Sequence, residues 1–112
     1  MQRDRLFVAE MIDACVRIGE LAADRDAAAV DGDPTARDAL YWNFTVLGEA
    51  AGQVSEPVRE SHPDVPWRRA AAMRNRIVHG YWSVDTDVLV STAREIVPDL
   101  LTQLREMQAG LG

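Results

Sequence analysis

The ten residues from Met73 to Trp82 read MRNRIVHGYW, which places two arginines, an asparagine, a histidine and a tyrosine between Arg74 and Tyr81. Guanidinium groups grip phosphate oxygens, and an imidazole titrating near neutrality gives or takes a proton. Together they suit phosphate chemistry, in which a proton moves while negative charge builds on oxygen. In a helix turning about 100° per residue, Asn75, Arg76 and His79 share one face, while Met73 and Ile77 lie with Ala70 on another. Arg74 then lies about 140° from His79, so the two do not converge within one regular helix. Convergence needs either a helix that loosens before Gly80 or a histidine from a second copy across a two-fold interface. The same residues also have a plainer role, since a C-terminal histidine caps a helix and arginines solvate its face. Spacing alone does not choose between these readings.

The charge distribution sharpens the picture. The chain has 112 residues and a net charge of −6, which argues against indiscriminate binding to nucleic acid. Yet Trp67 to Gly80 carries four arginines (Arg68, Arg69, Arg74 and Arg76) and no acid. Arg68, Arg69 and Arg76 thus form, with Asn75, a local patch able to grip phosphate groups. Every basic residue is arginine.

The surrounding pattern predicts helices that would hold this segment. From about Arg3 to Ala28, apolar residues recur at Phe7, Met11, Cys15, Ile18 and Leu21, the period of an amphipathic helix. The segment VDGDPT ends it, and Asp33 with Pro34 signals the cap and first position of a second helix reaching about Ser55. Gly48 and Gly52 lie one turn apart on that helix, and a close helix–helix contact would explain both. Pro57, Pro63 and Pro66 leave room for one short turn, before a third helix with Trp67, Ala70, Met73 and Ile77 inward and Gly80 as its stop. Asp85 or Thr86 caps a fourth helix, which Pro98 should kink or split. With no strand alternation, the expected architecture is all-α, a four- to five-helix bundle forming one domain over residues 1–112.

The remaining residue types narrow the function classes. Cys15 is the sole cysteine, so there is no intrachain disulfide and no cysteine-based zinc cluster. Among Met11, Ala14 and Ile18 it reads as an inert core thiol. No apolar run reaches the ~20 residues of a membrane span, and the start MQRDRLF lacks a signal peptide's apolar core. These features predict a cytoplasmic protein with no membrane partner. Asp85 and Asp87 read as helix-cap and dipole partners rather than metal ligands, and His62 as a surface loop residue.

The order Arg74, four residues, His79, one residue, Tyr81 resembles the motif of the HEPN ribonuclease superfamily, in particular the HepT toxins of HepT–MntA toxin–antitoxin pairs. The resemblance extends to RDALYWNFTVLGEAA (37–51), HPDVPWRRAAAMRN (62–75) and GYWSVDTDVL (80–89). It implies an all-α HEPN bundle, two-fold homodimeric, with the Arg and His of both protomers lining one cleft. It also implies metal-independent endoribonuclease activity without a cofactor. Arg74 would stabilise the phosphate, and His79 would act as general base or acid while the RNA 2′-hydroxyl attacks and leaves a cyclic phosphate end. Asn75 matches the polar residue that follows the motif arginine and would orient substrate or His79, and Arg76, Arg68 and Arg69 are expected to contact the RNA backbone beside it. Tyr81 matches the tyrosine to which a nucleotidyltransferase antitoxin of the MntA type transfers AMP, silencing the toxin. A shared cleft removes the 140° objection. The competing reading is a non-catalytic HEPN dimer that serves as the nucleotidyltransferase's binding partner, with the motif as interface and modification site. Glu49, within GEAA, is a candidate partner for an arginine of the site.

Overall fold

A computed structural model describes residues 2–111, and every regular element among them is helical. In chain order these are α1 (Gln2–Ala22), α2 (Ala27–Asp31), α3 (Pro34–Gln53), α4 (Glu56–Ser61), α5 (Trp67–Gly80), a 3-10 turn (Tyr81–Ser83), α6 (Thr86–Glu95) and α7 (Val97–Leu111). The expected all-α bundle is what forms. No helix among the described residues is long and apolar enough to cross a membrane.

Helices α1 and α3 are the centre. They pack along each other, α5 lies on the outer side of α3, and α6 and α7 lie against α1. The core is built from Val8, Met11, Cys15 and Ile18 of α1, Leu40, Phe44 and Leu47 of α3, and Leu89, Leu100 and Leu104 from the C-terminal pair. Burial pushes the Cys15 thiol up to about 12, so it stays protonated and unreactive at neutral pH, as a core thiol should.

Several boundaries follow local chemistry. The side chain of Asp33 accepts from Ala36 N at 3.2 Å with Pro34 in the first turn, as the sequence predicts. The first helix stops at Ala22 rather than near Ala28. Asp26 caps a separate short helix, accepting from Ala29 N at 2.8 Å, and this turns Val30 into the core. The last helical pattern is split at Ile96, two residues before Pro98, whose missing N–H leaves the preceding turn without a bond. Asp85 occupies the cap position of α6, but its side chain makes no capping bond; the Thr86 hydroxyl instead donates to Asp31. His62 ends α4 rather than standing free in a loop. Its Nδ1 lies 3.0 Å from Val58 O, and its carbonyl accepts the Trp67 indole N–H at 3.0 Å, which fixes the entry to α5.

One buried acid ties the chain's start to this junction. Asp4 accepts from Ser55 N at 2.7 Å and from the Ser55 hydroxyl at 2.8 Å. The backbone bond holds its carboxyl below the ordinary value, against the opposing effect of desolvation. A depressed folded pKa gives stabilisation that is full above the unfolded value of about 3.9 and is lost as pH falls through the folded value. Asp4→Ala strands the Ser55 N–H and is expected to cost about 1–3 kcal/mol in urea unfolding at neutral pH. The variant should also lose less stability than the parent below about pH 4.

Candidate active site

Helix α5 rides on the surface of the bundle, with only Ile77 and Gly80 buried; Trp67, Ala70 and Met73 are half-buried against the core. This is what its arginine-rich sequence dictates, since a helix with four guanidinium groups cannot be enclosed without partners for them. The consequence is that most of its polar side chains stay accessible. Arg68, Asn75 and His79 are exposed and fall within about 40° of one another around the helix, forming an outward crest.

Arg74 lies to one side of the crest, half-buried against α3. Its Nε is 3.0 Å from Glu49 Oε2, and its Nη1 donates to Asn75 Oδ1 at 3.0 Å. The Glu49 contact is an ion pair by distance and not an aligned hydrogen bond, because the buried Nε–H points along no acceptor. Glu49 itself is exposed and pairs with Arg74 from the surface, the partner expected of it. Two neighbours therefore hold the guanidinium, and its outer edge remains open to an anion.

The position of Arg74 depends on Gly48. A Cβ built on Gly48 would sit 2.3 Å from Arg74 Cβ and 2.4 Å from the Ala70 carbonyl oxygen. The close helix–helix approach read from the two glycines thus exists at Gly48. Gly52 has nothing within 4 Å and faces solvent, so the contact does not extend to it.

The segment after α5 is fastened from below by Tyr41 of α3. Its buried hydroxyl donates to Val84 O at 3.1 Å, and burial raises its pKa, keeping it a donor. The Ser83 hydroxyl closes the turn onto Gly80 O at 2.7 Å. Tyr81 stands edge-on between Tyr41 and Trp82, with ring centroids 5.7 and 5.5 Å away. It is 48% exposed, and Trp82 is 77% exposed. Aromatic packing over the helix end and accessibility therefore coexist at Tyr81.

A family model described as "Ribonuclease HepT-like" matches residues 11–107. The chain belongs to the HepT-like ribonuclease family. It is similar to a protein of Thermococcus cleftensis named probable ribonuclease HepT, 33% identical over 76 residues that cover 68% of this chain and 69% of the relative. A protein of Methanocaldococcus jannaschii named as a candidate RNase is 29% identical over 103 residues, covering 92% of this chain and 89% of its own. No solved structure matches. The family assignment supports ribonuclease function for this HepT-like chain, and the matched span contains every site residue from Arg68 to Tyr81.

The fold divides the site residues expected from sequence into two groups. Arg74, Asn75, His79 and Tyr81 cluster at the C-terminal half of α5, with Arg68 further along the crest. Arg69 and Arg76 lie about 140° and 160° from Arg74 around the helix, on the flank facing α6 and α7. Sequence reasoning did not single out Tyr41, or the exposed Trp42 and Val78 that flank the site. Trp42 carried a signal, because a tryptophan next to the buried Tyr41 and one residue before the core-facing Asn43–Phe44 pair must point outward.

Proposed function

We propose that this HepT-like chain is a metal-independent endoribonuclease, the toxin of a toxin–antitoxin pair, which cuts RNA in a cleft shared by two copies. The observation that carries the reading is Arg74, held at the surface between Glu49 and Asn75 while His79 stands free one turn on. An arginine fixed by its inner edge is prepared to meet a phosphate with its outer one.

In the proposed reaction, one imidazole takes the proton of the RNA 2′-hydroxyl as that oxygen attacks the adjacent phosphorus. Arg74 neutralises the charge that builds on the non-bridging oxygens. The bond to the 5′-oxygen breaks, that oxygen receives a proton from the opposing imidazole, and a 2′,3′-cyclic phosphate remains. Arg68 and Asn75 guide the strand along the crest. Two copies supply both imidazoles and bring Arg74 of one toward His79 of the other. The apolar side chains around the site support such pairing: Trp42 is 64% exposed, and Val78 and Trp82 lie in the open beside it. A cluster of this kind on a small domain marks an interface.

Tyr81 is the proposed regulatory position. Its exposure leaves the hydroxyl accessible, and its place two residues after His79 would put an attached AMP phosphate in the path of the substrate. The partner is a nucleotidyltransferase antitoxin of the MntA type. Incubation with such an enzyme and ATP should add AMP mass increments to Tyr81 and stop cleavage, whereas Tyr81→Phe should stay active and unmodified. Cleavage that continues after Tyr81 is fully modified would refute this regulation. The second reading, a non-catalytic dimer that only partners the nucleotidyltransferase, draws on the ion pair that already occupies Arg74 Nε. It is favoured if the chain expressed alone is harmless, whereas toxicity of the chain alone that the partner relieves favours the nuclease.

A further inference from the structure

The bundle is not closed on the side away from Glu49. Helix α5 packs on α3 and on its own 3-10 turn, and makes no extended contact with α6 or α7. The seam between them is an open cavity of about 220 Å³ with an aliphatic lining that includes Leu47, Met73, Val88, Ile96 and Leu100. Arg69 and Arg76 stand at its edge on α5. Both are exposed, and neither is ion-paired among the described residues. In a chain of net charge −6, two unpaired guanidiniums bordering one apolar groove form a specific pattern.

The pattern has a matching ligand chemistry. Arg69 and Arg76 are seven residues apart, so they lie on one face of α5 about 10 Å apart, two helical turns. Two carboxylates two turns apart on a second helix have the same spacing, and apolar residues at three- and four-residue intervals beside them would fill the groove. RNA fits the lining less well. The one aromatic side chain there, Phe44, is 2% exposed and offers no face for a base to stack on. Apart from the arginines, Thr92 is the only polar side chain to read a base edge.

We propose that the groove between α5 and the α6–α7 pair docks an acidic amphipathic helical segment of a partner protein, with Arg69 and Arg76 receiving its carboxylates. This surface lies on the opposite flank of α5 from Arg74. It does not depend on the ribonuclease reading, and the two fail separately.

The test uses the full chain and two fluorescent probe peptides followed by anisotropy. One peptide has leucines at three- and four-residue spacing with glutamates two turns apart; the other replaces the glutamates by lysines. The expected result is saturable binding of the acidic peptide, about tenfold or more tighter than the basic one. The Arg69→Glu/Arg76→Glu double variant should reverse that preference, His79→Ala should leave it unchanged, and Val88→Arg should block the groove to the acidic peptide. Circular dichroism of each variant checks that the fold is retained. Equal binding of both peptides, or binding of neither, would overturn the proposal. So would an affinity for a single-stranded RNA probe that collapses in the double charge variant, which would assign the two arginines to RNA. Dissociation of a dimer in that variant would assign the groove to a second copy, and would overturn it too.

Discussion

Alanine in place of His79 or of Arg74 is expected to lower RNA cleavage by about 10²–10⁴-fold without altering the helical fold. His79 is an exposed residue in the last turn of α5 with no packing role, so its removal should change stability by no more than about 0.5 kcal/mol. Arg74 gives up one ion pair, and with partners 31% and 54% exposed such a pair is worth about 0–1 kcal/mol. A large loss of rate with a small loss of stability separates chemistry from folding. Arg74→Lys adds resolution. It keeps the charge but cannot meet Glu49, Asn75 and a phosphate at once with a planar fork, so it should fall well short of the parent. Cleavage assays beside thermal melts of the same preparations check all three variants.

The second large effect is expected at a residue with no functional group. Gly48→Ala places a Cβ 2.3 Å from Arg74 Cβ and 2.4 Å from the Ala70 carbonyl. One of these atoms is backbone and the other is fixed to it, so no side-chain rotation relieves the clash; α5 must move. Overpacking of this kind costs about 1–3 kcal/mol. The shift also carries Arg74 away from Glu49, so activity should drop even at temperatures where the variant remains folded. Gly52→Ala is the control four residues on. It meets nothing within 4 Å, and alanine is the better helix former, so it should be neutral or stabilising by up to about 1 kcal/mol. Urea unfolding and cleavage rates for the pair measure both effects.

These two glycines show where sequence reading reaches its limit. Each breaks helix propensity in the same way, and both suggested a close contact, but only the packing of α5 on α3 shows that one is buried under Arg74 and the other faces water. Signals carried by neighbouring residues were legible: the Asp33–Pro34 start, the split near Pro98 and the short turn before His62 are all set by local backbone chemistry. The early end of α1 was not, because the apolar period continues past Ala22 and the interrupting cap is a single aspartate, Asp26. At the site, residue order and spacing brought out Arg74, Asn75, His79 and Tyr81. Their supports come from α3, 25 residues earlier for Arg74–Glu49: Glu49 was expected to pair with an arginine of the site and Gly48 to make a close contact, but only the packing shows that both meet Arg74, and Tyr41 carried no short-range signal. Likewise, four arginines in one helix looked like one patch. Helical geometry and the open seam beside α6 and α7 divide them between two surfaces.

The central claim is that the exposed His79 of each of two copies moves a proton, one as base and one as acid, while Arg74 holds the phosphate, with no metal involved. End-group analysis of RNA incubated with the purified chain in excess EDTA tests it most directly. Cleavage products are expected to end in 2′,3′-cyclic phosphate and to be absent when His79→Ala replaces the parent. Products that require added divalent metal, or that form at an undiminished rate with His79→Ala, would contradict it.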